Sequence, residues 1–422
     1  MIDLDAEATG HKRFSPALRM VLSAGVIVTA GRLGTSGAFY DTCVQNAFLA
    51  FSLAGFVLIC LRVRPQWREA LALAVATGAL TVADLLLLHY PFSVYGILGL
   101  AGLASIALIA LRGIASAGEA RWRLGLAFLF AVLSVSSNAL AGFFHNWTAR
   151  LTPTVLDLYL YCFDASLRVQ FAFLAGQAFA RWAWLSYPGM LVYLAFPIPV
   201  ALVFAGQLVR DRKAAICAMT AFLITGPAGV VFYALCPALG PIYLFTNRFP
   251  WGPLTSDQAS RLILETPALA GLRNSLPSLH LAWVLLAWWY SKGLSAWERG
   301  VVLFFLVFTV ISTLGTGEHY LIDLIVAWPF ALFVYALCAW PVPWSNGIRG
   351  ISVFIGLGMT LGWIGALRMG VKMFWISPAL PWLACAVTVV WATLLRHRLA
   401  SAGQRDGAAQ SISAIASAPA AS

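Results

Sequence analysis

The chain has 422 residues, of which 61% are hydrophobic and 10% charged, and its mean hydropathy is +0.84. A water-soluble domain carries about 25% charged residues, so this composition excludes an ordinary soluble enzyme. The formal charge of +11 has the sign of a nucleic-acid binder. The bases fall between apolar runs, however, so a membrane explains them and no nucleic-acid partner is expected.

Residues 1–16 are polar and read as a loose cytoplasmic tail. Apolar runs follow at 17–31, 43–61, 70–88, 94–111, 123–144, 184–208, 214–236, 278–291, 300–316, 320–340, 350–367 and 375–395. Taken at the usual criterion for crossing a bilayer, these make about twelve spans. The predicted fold class is therefore all-α, a polytopic transmembrane helical bundle. A membrane barrel would show short alternating segments instead. The first four spans, within 17–122, form an N-terminal region of unassigned role. Asp84 lies there in "TVADLLLL". An acid inside a span is a functional candidate by default, but Asp84 is near the end of its run and reaching the interface is the better reading.

A catalytic core is predicted over 123–345, with two further spans in 346–400. Inside the core, 145–183 mixes aromatics with Asp157, Asp164, Arg168 and Gln170. That pattern suits one or two helices lying along the membrane interface, not a crossing. The Ala/Ser-rich tail 401–422 has too little apolar surface to fold and is expected to be disordered.

Six basic connections, 12–19, 62–68, 112–123, 210–213, 292–299 and 396–405, alternate with the spans and fall on one side. They hold roughly two thirds of the Lys and Arg, which the positive-inside rule makes cytoplasmic. Both termini are then cytoplasmic, and 145–183, 237–277 and 317–319 lie on the opposite face. The seven cysteines, at 43, 60, 162, 217, 236, 338 and 385, have no disulfide or zinc spacing. They read as small buried hydrophobes.

Two polar clusters stand out. The first is "GLRNSLPSLHLAW", 271–283, at the mouth of an apolar run. Ser275 or Asn274 can cap a helix whose first turn includes Pro277. The N–H groups at a helix N-terminus are a ready anion site, and Arg273 adds a forked donor that matches phosphate. His280, in the first turn, can protonate a leaving oxygen. The second cluster is "STLGTGEHYLIDLIVAW", 312–328. Four residues apart, His319 and Asp323 share a helix face. The carboxylate can then fix one imidazole nitrogen and leave the other as a nucleophile. A lone membrane histidine is more often a packed or interfacial residue, and a capped helix start is ordinary. Together, two histidines at one membrane face, one with an acid and one with Arg, Asn and two Ser, point to a phosphate site.

These residues resemble a known family. "LPSLH", 276–280, and "HYLID", 319–323, look like the two signature motifs of the type 2 phosphatidic acid phosphatase superfamily. The closer likeness is to its inositol phosphorylceramide synthase branch, and "YALCPALGPIYLF", 233–245, is similar to the segment preceding the motifs there. The resemblance covers 184–345 and extends toward 145–183. It implies a six-helix core and catalytic residues His319 as nucleophile, Asp323 as its orienting acid and His280 as proton donor. Ser278, Asn274, Arg273 and Arg248 are then the phosphate-binding candidates. The substrate is a lipid phosphate, a lipid alcohol can serve as acceptor, and neither metal nor cofactor is expected. The chain also departs from the wider pattern. The wider superfamily also has an earlier motif with a Lys and an Arg, where only Arg248, in "TNRFPWG", is near; Thr313 stands where an Arg precedes the nucleophile, and Ala327 replaces a Gly. Arg273 is expected to supply the missing charge, and Glu318 to point away from the phosphate.

The leading expectation is a membrane enzyme processing lipid phosphates on the non-cytoplasmic face through a phosphohistidine. Transfer of a phospho-headgroup stands slightly ahead of hydrolysis of a phosphatidic acid or polyprenyl phosphate. A transporter would suit twelve spans, but the halves show no similarity and the polar groups sit at one face. A non-catalytic lipid binder has no need of His280, His319 and Asp323 together.

Overall fold

A computed structural model describes residues 47–88 and 94–416, so the predicted first span at 17–31 lies outside the described residues. The helices are α1 (Ala47–Leu58), α2 (Trp67–Ala83), α3 (Val94–Ala115), α4 (Gly118–Leu151), α5 (Asp157–Ser166), α6 (Phe171–Arg181), α7 (Ala183–Leu194) and α8 (Pro197–Arg210). They continue with α9 (Arg212–Leu235), α10 (Pro241–Phe245), α11 (Ser256–Ser260), α12 (Leu279–Tyr290), α13 (Ala296–Gly315), α14 (Leu321–Leu337), α15 (Gly347–Gly370) and α16 (Ala379–Ala416). Among the described residues the only extended pairing is an isolated bridge between Thr154 and Ala268, so the all-α expectation holds.

Twelve spans are not shown. Among the described residues, six helical segments are long and apolar enough to cross a membrane, or seven if α7 and α8, bent by 56°, count as one. The excess arises because apolar runs are not all full-length helices. At about 1.5 Å per residue, α12 and α14, with 12 and 17 residues, fall short of a hydrocarbon core of about 30 Å. Apolar helices such as α2, whose Trp67, Leu71 and Val75 are all exposed, need a surrounding that accepts an apolar surface of this size. The chain is read as an integral membrane protein.

The chain forms two compact units. Among the described residues, one comprises 47–88, 94–143, 178–215 and 287–312. In it α1 and α3 approach at small residues, with Ser52 Oγ donating to Gly99 O at 2.6 Å. A Cβ on Gly102 would lie 2.1 Å from Ser52 O, so this close approach requires glycine. Arg62 pairs with Glu298 at 2.6 Å, Arg112 pairs with Glu69, and Arg210 donates to Gly293 O. Four of the basic connections predicted to share a side are thereby linked within this unit.

The second unit comprises, among the described residues, 144–177, 216–286 and 313–416. Its centre is α14, a buried helix against which α15 packs. A Cβ on Gly356 would lie 2.8 Å from Pro329 O. Arg349 is almost fully buried and donates to the carbonyls of Ala336, Leu337 and Val342. A cation at these last carbonyls complements the negative end of the α14 dipole. Helix α16 runs on to Ala416, into the tail expected to be disordered. Alanine is the best helix former, and extending an existing helix avoids the cost of nucleation.

Segment 145–183 contains two short helices, α5 and α6, neither of them a candidate span. Arg168 is exposed, but the two acids do not face an aqueous interface as expected. Asp157 and Asp164 are 0% and 4% exposed, and both are bonded inside the unit. Five of the six described cysteines are buried and Cys60 is exposed, all as free thiols.

Candidate active site

The site lies in the second unit, where the two predicted clusters meet. Ser278 N donates to Asp323 O at 3.1 Å, and the imidazole centroids of His280 and His319 are 6.4 Å apart. His319 precedes α14 on a short loop after α13, and its N–H is held by Thr313 O at 3.2 Å. Thr313, standing where the resemblance led one to look for an arginine, thus contributes its backbone.

His319 Nδ1 is 3.2 Å from Asp323 Oδ2. That oxygen also accepts from Tyr320 N at 2.8 Å and from Ser275 Oγ. The partner atom Oδ1 is buried with no hydrogen-bond partner among the described residues. All three donors therefore converge on the oxygen that faces the imidazole. A carboxylate at Nδ1 places the proton there, leaving the lone pair on Nε2. Nε2 faces Ser278 Oγ at 3.3 Å.

The cap of α12 differs from expectation. Ser278, not Ser275 or Asn274, is the residue whose hydroxyl accepts from Leu281 N, at 3.4 Å, and whose carbonyl accepts from Ala282 N, at 3.0 Å. The helix begins at Leu279, after Pro277 rather than including it. One hydroxyl thus caps the helix and touches the imidazole. Ser275 is freed to bond Asp323, and His280 falls in the first turn, partly exposed, as expected.

Arg273 is buried, and its donors are largely spent on backbone. Nε, Nη1 and Nη2 donate to the carbonyls of Thr152, Gly271 and Pro153. The residue braces the loop before α12, and three of its five N–H groups are taken. Asn274, beside it, is partly buried. Arg248 is exposed on a 3-10 turn, and no bond among the described residues ties it to either histidine. Glu318 is buried and accepts from the Tyr243 hydroxyl at 3.3 Å.

The segment 237–242 closes around the loop carrying His319. Ser275 N donates to Ala238 O at 3.2 Å and Ile242 N to Gly317 O at 3.0 Å. Gly240 has φ +128°, and a Cβ there would lie 2.5 Å from Glu318 O. Only glycine fits both that dihedral and that approach.

Two acids that the sequence reading assigned to an interfacial helix are bonded to the segments around His319. Asp157 accepts from Gly240 N at 2.8 Å, from Leu239 N at 3.1 Å and from the Tyr320 hydroxyl at 3.0 Å. Asp164 accepts from Leu321 N at 2.6 Å and Ile322 N at 3.1 Å, the first N–H groups of α14. Burial pushes the Asp157 carboxyl up to about 6 against the pull of its donors. Burial, with the nearby Asp323 charge, raises Asp164 to about 8. The signal available was their seven-residue spacing, which puts both on one helix face in an otherwise apolar stretch.

Residues 158–337 match the family model described as the PAP2 superfamily. The match spans α5 to α14 and takes in Asp164, both histidines and Asp323. No curated protein and no solved structure matches the chain at a significant level. Members of the PAP2 superfamily are phosphatases or phosphotransferases acting on lipid phosphates. With its apolar helices, the chain is an enzyme of that broad class, working on a lipid phosphate in a membrane.

Proposed function

We propose that the protein is a phospho-headgroup transferase of the inositol phosphorylceramide synthase type, acting through a phosphohistidine at His319. The observation that carries this reading is the orientation of His319. Its Nδ1 is held by Asp323, and its Nε2 is aimed toward Ser278 and the neighbouring His280 ring. In the first step Nε2 attacks the phosphorus of the lipid phosphate. A P–N bond forms, the P–O bond to the leaving alkoxide breaks, and His280 gives that oxygen its proton. Asp323 stabilises the positive character growing on the imidazole.

In the second step an acceptor hydroxyl attacks the phosphorus, its proton returns to His280, and the P–N bond breaks. Ser278 and the N–H groups opening α12 hold phosphoryl oxygens, with Asn274 at the rim. Arg273 contributes the N–H groups left over from its carbonyl contacts, and Arg248 supplies attractive charge from the surface. No metal or cofactor is invoked. The active site faces the non-cytoplasmic side and both termini are cytoplasmic in this reading, following the charge bias of the connections.

A lipid alcohol and water differ only as acceptors of the same intermediate, so one experiment separates transfer from hydrolysis. Purified protein is incubated with labelled phospholipids, with and without a lipid alcohol. A new labelled phospholipid that requires the alcohol is expected. Water-soluble label, free phosphate from a monoester or phospho-headgroup from a diester, in equal yield with and without it would make the protein a hydrolase.

A further inference from the structure

The nucleophile sits outside regular structure. His319 lies on the link between α13 and α14, so the backbone on either side of it sets its ring direction. On the α13 side the anchor is local, the bond from His319 N to Thr313 O. On the α14 side the anchors come from a distant helix. The three residues after His319 are held in order: the Tyr320 hydroxyl by Asp157, and the Leu321 and Ile322 N–H groups by Asp164.

Those bonds reach across 163, 157 and 158 positions of sequence. Asp157 also ties down the Leu239 and Gly240 N–H groups, and that loop backs the nucleophile's own loop through Ile242 N and Gly317 O. Burying two carboxylates is costly unless their bonds repay it. Among the described residues, the bonds their carboxyl groups accept end on α14, on Tyr320 just before it, or on the loop behind them. Asp164 holds the first N–H groups of α14, as Arg349 holds the carbonyls at its other end. The helix is thus fixed at both ends by side chains from elsewhere in the unit.

We propose that Asp157 and Asp164 are positioning residues for the reaction: from α5 they anchor the first turn of α14 and so fix the direction in which His319 presents Nε2. The inference rests on the reading of His319 as nucleophile. Neither acid touches the reacting atoms; they act through the backbone at 320–322 and the Tyr320 hydroxyl. Asparagine at 164 keeps the shape, but its amide group can accept one N–H and must turn a donor toward the other. Phenylalanine at 320 deletes one hydroxyl and nothing else.

The test compares Asp164→Asn, Tyr320→Phe and His319→Ala in the purified full-length protein. The probes are labelled phosphatidic acid and labelled phosphatidylinositol, whichever the parent protein turns over, with kcat, KM and thermal unfolding read on each variant. Misaiming a nucleophile by about 1 Å costs on the order of 100-fold. A 10- to 100-fold fall in kcat for Asp164→Asn is therefore expected, and a smaller one for Tyr320→Phe, with KM and melting temperature unchanged. Parental kcat in both variants would overturn the inference. So would a loss matched by the loss of folded protein, with normal turnover per folded molecule. If Asp164→Asn does not fold, Tyr320→Phe decides alone. His319→Ala separates the two claims. Retained turnover there, or no turnover of either probe by the parent protein, removes the nucleophile reading itself. An inactive His319→Ala beside a normal Asp164→Asn and Tyr320→Phe removes only the positioning role.

Discussion

Asp323→Asn is the substitution that most directly weighs the charge behind His319. The amide keeps the shape of the carboxylate and can still accept from Tyr320 N. What it loses is a full negative charge lying 3.2 Å from the imidazole Nδ1. Two unit charges at that separation attract by about 5 kcal/mol at an effective dielectric of about 20. Only the part felt as the imidazole becomes positive lowers the barrier. If that part is between half and all of the attraction, kcat falls by about 10²- to 10⁴-fold. KM is expected to hold, because Asp323 is buried behind the histidine and does not meet the lipid. The assay is single-turnover formation of labelled enzyme, read beside steady-state kcat and KM. A kcat within fivefold of the parent, with normal folding, would refute the claim that the Asp323 charge drives the step.

Ser275→Ala removes one of the three donors on Asp323 Oδ2 and leaves the charge. A fall in kcat of about 10-fold is expected, about 1.4 kcal/mol, clearly smaller than for Asp323→Asn and measured in the same assay. Gly240→Ala forces a side chain onto a residue at φ +128°, 2.5 Å from Glu318 O; strain of about 1–3 kcal/mol should appear as a lowered melting temperature with reduced turnover. Stability should also depend on pH through Asp157 and Asp164. Their folded values, about 6 and about 8, stand above the ordinary 3.8, so the folded state keeps protons that the unfolded chain releases. That contribution is complete below about pH 4 and is lost as pH rises through 6 and then 8, with a slope near 1.4 kcal/mol per pH unit for each linked proton. Melting curves from pH 5 to 9 should fall with pH, and Asp164→Asn should flatten the upper part.

The site was legible where its geometry is local. His319 and Asp323 do meet, though not on a shared helix face as the spacing forecast, because His319 precedes α14 and the acid reaches back across the helix start. The meeting of His280 with His319 came from motif resemblance and strand-free, up-and-down helix order, and the rings do lie together. Contacts that cross the chain were not legible. Asp157 and Asp164 bond backbone N–H groups 82 or more positions away, and backbone partners leave no mark on a sequence pattern. Arg273 misleads for the same reason: its type suggests an anion, but it meets carbonyls of Thr152, Pro153 and Gly271. Twelve spans are not shown because several apolar runs form helices too short to count. Hydropathy cannot tell the 12-residue α12 from the middle of a full crossing, since both are equally apolar.

The central claim is a covalent phosphoryl group on His319. It is tested by quenching the protein during turnover of a labelled phospholipid and mapping the label by peptide analysis under alkaline conditions, where an N-phosphohistidine survives. The account predicts one labelled peptide, containing His319, whose label is lost in acid and absent from His319→Ala. Label on another residue, or turnover without any labelled enzyme in a quench fast enough to catch the first cycle, would contradict it.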